Sequence, residues 1–408
     1  MIEVPGYRRL TVFSMILLFL GMSASMGFSP EDTSSLSEEK PSFETSTTST
    51  PYWPGSQSGS IYTYDSVDIG MNHVCAVTTD NTVRCWGSNS DYQLGNSTTG
   101  QFSSAGLPRV VEYVGGHSEG TDLAVSIGAG GHHNCAIETD GTLKCWGEND
   151  HGQTGNISVS GAVQYPSPVT VLHNSSQMEI RAIDGGLDFS CAIVEEASSS
   201  PVQDAARAIG GRVACWGRNN LGQLGDSTLT DQDQPVYVVD INGNEIQNVT
   251  AITSGRNHNC AIVDGNPMCW GHNDYGKLGN HQHIGTSSVP YAVNVQTTQR
   301  EVVAIGAGYS HTCALLDNGS IGCWGYNDNG EFGDGTSSST TEYYNARYVS
   351  LPQYRTAVTL GLETITVVQF WMTILLGVGG RTTMVKEEMA ELVVQSLHKY
   401  RPCLLYTS

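Results

Sequence analysis

The sequence predicts an all-β repeat protein, and three observations carry that prediction. The tripeptide Cys-Trp-Gly occurs five times, with tryptophans at Trp86, Trp146, Trp216, Trp270 and Trp324. Their spacings of 60, 70, 54 and 54 residues mark one supersecondary unit used repeatedly rather than a one-site enzyme domain. Each Cys-Trp-Gly closes a pair of short apolar runs separated by a turn, as in CAIETDGTLKCWG from Cys135 and CAIVDGNPMCWG from Cys260, which is the signature of a β-hairpin. Glycine contributes 47 of the 408 residues and charged side chains only 14%, a composition that favours tight turns over helices.

Ahead of the repeats, residues 1–27 read as an export signal. Arg8 and Arg9 precede a 13-residue apolar run from Leu10 to Met22, and Ser23, Ala24 and Ser25 follow it. A charged start, a short apolar core and small residues near a cleavage point are what a signal peptidase substrate needs. The alternative is an uncleaved membrane anchor, but the run is shorter than the ~20 residues that span a bilayer. Residues 28–61 are rich in Ser, Thr, Pro and Glu. They have too little apolar surface to offset chain entropy and read as a flexible linker.

The repeats are expected over residues 62–362. Register is testable inside each hairpin. A three-residue loop at Thr139, Asp140 and Gly141 pairs Ile137 with Leu143 and brings Cys135 opposite Cys145. A two-residue Asp264-Gly265 turn pairs Val263 with Asn266 and brings Cys260 opposite Cys269. Two loop lengths thus give the same cysteine pairing. The same reading joins Cys75 to Cys85 and Cys313 to Cys323. It joins Cys191 to Cys215 across a longer insertion, which a hairpin tip tolerates. Five pairs result, with Cys403 left over. In an oxidising compartment they are expected as disulfides. Buried free thiols are one alternative. Metal binding is another, although the spacing does not match that of zinc sites.

Two further phrases repeat. Before the first cysteine comes a glycine-rich stretch with histidine two residues ahead of it: His73, His133, His258 and His311, with Phe189 in the third copy. After Cys-Trp-Gly come stretches such as RNNLGQLGD from Arg218 and HNDYGKLGN from His272. The combined pattern, G-x-x-H-x-C-A-I-x-x-D-G-x-x-x-C-W-G-x-N-x-x-G-Q-L-G-D, resembles the regulator of chromosome condensation repeat. The resemblance covers about residues 62–361 and implies a β-propeller of four-stranded blades, usually seven. About six blades are traceable here, in a secreted, cysteine-paired variety. Closing such a ring removes free sheet edges. The five tryptophans and the four histidines are then structural repeat residues, each imidazole expected to bond the backbone of a neighbouring blade. A histidine ring binding metal or anion is the alternative.

From Glu363 the pattern stops, and residues 363–408 are out of register with the array. Reading the codons one base earlier, with permitted third bases, turns Glu363–Trp371 into Gly-Asp-Tyr-His-Ser-Cys-Ala-Ile-Leu. Ile374–Gly380 becomes Tyr-Ser-Ile-Gly-Cys-Trp-Gly. The tail is therefore expected to be the frameshifted product of a sixth repeat, with a divergent tail such as an interaction helix as the alternative. An array without its closing blade exposes edges.

The net charge of −21 repels phosphate backbones, so nucleic acid is not expected as a partner. No nucleophile elbow, zinc-protease helix or phosphate-cradling loop is readable. The phrase around Asn327, Asp328, Asn329, Gly330 and Asp334 resembles a calcium loop but lacks its bidentate glutamate and reads as a turn. No catalytic residue, cofactor or metal is expected. Sequons lie at Asn96, Asn156, Asn174, Asn248 and Asn318. The founding members of the resembled family are nuclear exchange factors for a small GTPase, but the export signal, paired cysteines and acidity argue against that role. The expected function is an extracellular, cell-surface or periplasmic protein-binding scaffold, monomeric, without catalysis and without membrane contact beyond the signal segment. The alternatives are an exchange-factor-like regulator and a secreted carbohydrate-active enzyme. The segments Gly100–Asp122 and Gly155–Met178 and the insertion after Cys191 are the expected contact loops.

Overall fold

A computed structural model describes residues 64–96, 103–112, 124–159, 161–196, 211–280, 285–293, 295, 300–337, 343–349, 355–362 and 367–373. The expected signal, the linker and most of the tail lie outside the described residues.

Blade one holds β1 (Tyr64–Ile69), β2 (His73–Thr78), β3 (Val83–Asn89) and β4 (Ser103–Val110). Blade two holds β5 (Ala124–Ala129), β6 (His133–Glu138), β7 (Leu143–Gly147) and β8 (Val163–Val169). The third sheet has five strands: β9 (Leu172–His173), β10 (Ser176–Gly185), β11 (Phe189–Glu196), β12 (Arg212–Gly217) and β13 (Gln232–Tyr237). Blade four holds β14 (Val249–Ser254), β15 (His258–Val263), β16 (Asn266–His272) and β17 (Thr286–Ala292). Blade five holds β18 (Val302–Ala307), β19 (His311–Leu316), β20 (Ile321–Gly325) and β21 (Tyr343–Tyr348). A two-stranded sheet follows, β22 (Arg355–Leu362) with β23 (Val367–Thr373). Every pairing is antiparallel between chain neighbours, and the first strands β1, β5, β10, β14, β18 and β22 lie side by side in turn. The array is a β-propeller. Among the described residues no helix is long and apolar enough to cross a membrane.

The expected registers are present. Cys135 pairs with Cys145 and Ile137 with Leu143, and Gly141 takes the left-handed φ of 86° that a three-residue loop demands. Cys260 pairs with Cys269 and Val263 with Asn266, with Asp264 and Gly265 at φ 49° and 75°. Disulfides join Cys75–Cys85, Cys135–Cys145, Cys191–Cys215, Cys260–Cys269 and Cys313–Cys323, with Cα separations of 4.0 to 4.2 Å.

The core lies between blades rather than within them. Blade two contributes Ile137 and Leu143, and blade three contributes Ile183, Val194 and Trp216 to one cluster. Trp146, Trp270 and Trp324 play the part of Trp216 at the other boundaries. All four indoles are fully buried. Trp86, on the outer side of blade one, is half-buried. At the far side of blade five, Leu315, Ile321, Phe332 and Val349 form a cluster that holds no tryptophan.

Two expectations change. Gly155–Met178 is not a loop, because it carries β8 and β9, and β9 pairs with β10 at His173↔Ser176. Asn174 and Ser175 adopt φ 49° and 67°, which gives the mirror-image turn that such a hairpin needs. Gly100–Asp122 likewise contains β4. The insertion after Cys191 lies mostly outside the described residues.

Candidate functional site: the loop face

The repeated polar residues join blade to blade. Trp216 Nε1 donates to the Gln153 carbonyl oxygen at 2.9 Å, and Ser190 Oγ donates to that same oxygen at 2.9 Å. The Gln93 carbonyl accepts from Trp146 Nε1 and Asn134 Nδ2, and the Gln223 carbonyl from Trp270 Nε1 and Asn259 Nδ2. The Lys277 carbonyl accepts from Trp324 Nε1 and Thr312 Oγ1. Both donors come from the following blade each time.

The histidines run the other way. His73 Nε2 donates to Asn134 Oδ1 at 2.8 Å, His133 Nε2 meets Ser190 Oγ at 2.8 Å, and His258 Nε2 meets Thr312 Oγ1 at 2.9 Å. The serine and threonine hydroxyls have already given their only proton to a carbonyl, so they accept from a protonated Nε2. The expected partner was neighbouring backbone, whereas the observed partner is a neighbouring side chain. Burial pushes His73 and His311 down to about 4 and His133 to about 3, and holds His258 well below its ordinary value. Neutral, buried and satisfied at Nε2, His73, His133 and His258 are structural. A Cβ at Gly130 would stand 2.0 Å from His133 Cε1, which accounts for the glycine three residues before each histidine. His311 Nε2 has no hydrogen-bond partner among the described residues.

The asparagine-rich stretches are turns. Asn89, Asn149, Asn219, Asn273 and Asn327 each accept, through Oδ1, the amide five residues on. Asp334, in the calcium-like stretch, pairs with Arg347 Nε at 2.8 Å and accepts the Thr336 amide. Its oxygens serve the turn.

One set of non-repeating residues lies where the histidine-preceding loops meet the loops that follow Cys-Trp-Gly. Met71, Gly131, Leu187 and Arg256 occupy one repeat position, and their backbones hydrogen-bond in succession from blade to blade. Asp91, Glu148, Asp150 and Asp188 form an acidic sector over the first three blades. Burial raises Glu148, and Asp188, Asp91 and Asp150 add to the rise. Over blade four two cations, Arg256 and Lys277, stand beside His272, whose Nε2 meets Asp274 Oδ1 at 2.9 Å. The Arg256 guanidinium lies 4.4 Å over the Tyr309 ring, and Tyr275 and Tyr326 meet edge to face at 4.8 Å. The singular chemistry of Arg256 and Lys277 was not read from the sequence. The signal was present, because Lys277 stands where other blades have Gln93, Gln153, Gln223 and Glu331.

On the inner strands, Asp68 and Asp184 occupy the position opposite the first cysteine of their hairpins. Asp68 accepts the Ala129 amide and Asp184 the Ser254 amide, each from a neighbouring blade. Burial raises Asp68 to about 6, and burial together with Asp68 raises Asp184.

Comparison with known proteins agrees with this geometry. The chain matches the regulator of chromosome condensation (RCC1) repeat at residues 64–93, 124–153 and 302–331, and again at 80–137, 210–262 and 264–315. It is 26% identical over 276 residues to the human E3 ubiquitin-protein ligase HERC2, covering 67% of this chain and 5% of that protein. It is 27% identical over 272 residues to the ultraviolet-B receptor UVR8 of Arabidopsis thaliana, covering 66% of this chain and 55% of the receptor. The chain thus spans less than two thirds of either relative. Among solved structures, human WBSCR16 superposes with a TM-score of 0.61 at 19% identity, over 76% of this chain and 72% of that one. Prp20p from Saccharomyces cerevisiae gives 0.57 at 16% identity, over 77% and 70%. Its repeats and its propeller place this chain in the regulator of chromosome condensation (RCC1) repeat family.

Proposed function

We propose that this protein is an extracellular protein-binding scaffold, without catalysis, whose contact surface is the loop face. The observation that carries the reading is the division of labour among residues. Positions shared by the blades are occupied by disulfides, latches and turns, while the loop face carries charged and aromatic side chains that do not repeat. Loops on a rigid frame suit recognition, and aromatic residues and arginine are the side chains enriched at interface centres. Five disulfides, one in each Cys-Trp-Gly hairpin, support an oxidising compartment. Export through the residue 1–27 segment, a monomeric state and a protein rather than nucleic-acid partner belong to the same reading. Prp20p is described with Gsp1p and histones. At 16% identity it supports the fold alone, and the acidic charge of this chain argues against a nucleic-acid partner. The paired cysteines weigh more.

The test is expression of the full chain through a secretory pathway, with mass spectrometry of the unreduced protein and crosslinking to cell-surface proteins. Secreted protein with disulfides inside blades and a reproducible crosslinked partner is the expected result. A cytosolic product with free thiols would overturn the reading.

A further inference from the structure

In blades one, two, three and five the residue at the Gln position supplies an oxygen that accepts an amide two residues earlier. Gln93 accepts from Asp91, Gln153 from His151, Gln223 from Leu221 and Glu331 from Asn329. Blade four has Lys277, which carries no acceptor. The residue is nonetheless buried, with 3% of its surface exposed. Nζ donates to His272 Nδ1 at 3.1 Å, and His272 Nε2 in turn donates to Asp274 Oδ1 at 2.9 Å. Among the described residues neither Lys277 nor Arg256 makes an ion pair of its own, and Asp274, reached through His272, is the carboxylate that favours the charged form of Lys277. The two cations repel one another, and Arg256 Nε is buried without a hydrogen-bond partner.

In a chain of net charge −21, two neighbouring cations that make no direct ion pair are conspicuous. Burying a charge is costly unless it is paired. The substitution of lysine for glutamine also gives up a turn-capping oxygen that the other blades keep. A residue that breaks a local rule without a structural gain marks a functional position.

We propose that Lys277 and Arg256 form an oxyanion-binding site on the loop face of blade four, and that it takes a carboxylate from an acidic segment of a partner protein. The inference deepens the scaffold reading and rests on it. An ammonium and a guanidinium supply charge-assisted hydrogen bonds to one carboxylate. Tyr309, already stacked under Arg256, holds the guanidinium in place. Burial lowers Lys277 to about 8, so an anion arriving beside it restores full protonation. The acidic sector over blades one to three repels a long polyanion, which favours an isolated acidic cluster over a nucleic acid or a phosphorylated chain.

The repeat itself supplies fold-preserving variants. Lys277→Gln installs the residue of blades one to three, and Arg256→Leu installs Leu187 of blade three. A fluorescein-labelled hexaglutamate peptide is titrated into the full oxidised chain, with hexaglutamine as control and inorganic phosphate as competitor. Wild type is expected to bind hexaglutamate and not hexaglutamine, and each variant to bind at least about tenfold more weakly. Equal binding by wild type and Lys277→Gln overturns the site, as does no binding by wild type. Phosphate binding without hexaglutamate binding overturns the carboxylate assignment. None of these outcomes bears on secretion or on partner capture, so failure of the site and failure of the scaffold reading are distinguishable.

Discussion

The indole of Trp216 and the backbone carbonyl of Gln153 meet at 2.9 Å across the boundary between blades two and three. One residue from the Cys-Trp-Gly phrase thus closes a hydrogen bond to a residue of the preceding Gly-Gln-x-Gly phrase, 63 positions away. Replacing Trp216 by Phe keeps most of the apolar volume and removes the donor. The Gln153 oxygen keeps its bond from Ser190, so the expected loss is about 0.5–1.5 kcal/mol of stability, the net worth of one hydrogen bond. Urea unfolding of the oxidised protein measures it. An unchanged midpoint would show that the indole only fills space.

Acid is expected to weaken the protein between about pH 6.5 and pH 4. His73, His133 and His311 have folded values of about 4, 3 and 4, below the unfolded value of about 6.5. In that window the unfolded chain binds protons that the folded chain refuses, so stability falls as pH falls. Asp68, raised to about 6, and Asp184, also raised, work in the opposite direction below about pH 6. Histidines outnumber these aspartates, so the net change is a loss. Thermal midpoints measured from pH 7.5 to 4.5 check the sign. His258→Gln is expected to flatten the curve.

The disulfide Cys191–Cys215 closes the longest loop of the five, a separation of 24 residues against 9 or 10 in the others. Its removal by Cys191→Ala with Cys215→Ala is expected to cost about 3 kcal/mol through the freed unfolded chain. Removing Cys260 and Cys269 together is expected to cost somewhat less. Denaturant midpoints of the two double variants decide the order.

Exposure separates the sequons. Asn174, Asn248 and Asn318 are exposed, whereas Asn96 is buried. Secretion through a glycosylating host is expected to place glycans on the first three and none on Asn96. Peptide mapping with and without glycosidase reads this directly, and a glycan at Asn96 would place that turn on the surface.

His311 Nε2, without a hydrogen-bond partner among the described residues, makes the shifted reading of the tail specific. β22 and β23 set Val368 opposite Gly361, just as Cys313 stands opposite Gly306. Position 367 then takes the place of Asn134, Ser190 and Thr312, yet valine has no acceptor for the imidazole. One base earlier, position 367 becomes serine when Thr366 is encoded by ACA. Tryptophan appears at position 379 when Val378 is encoded by GTT, which would complete the cluster around Phe332. The coding DNA settles it, and any other codon for Thr366 removes the hydroxyl that His311 lacks.

Much of this architecture was legible in the residues. Within a hairpin, turn type and strand period fix register over about ten positions, so Cys135–Cys145 and Val263–Asn266 could be paired before any coordinates. What lies across a blade boundary was harder. The partner of His133 is Ser190, 57 residues away, and no local period announces that distance. β9 is two residues long, too short for alternation to show. Lys277 was hidden by the strength of the repeat, since a stretch that matches the pattern invites attention to agreement and not to its departures.

Because the indole and amide or hydroxyl donors that cap each carbonyl belong to the succeeding blade, a blade is provisional until its successor arrives. Synthesis from the N-terminus would therefore lock the wheel in sequence, like a ratchet advancing one tooth at a time. Erosion from the C-terminal side should release it in reverse order. Partial proteolysis under mild denaturant would register this as a ladder of fragments shortened blade by blade, whereas simultaneous loss of all blades would mean that the ring opens as a single unit.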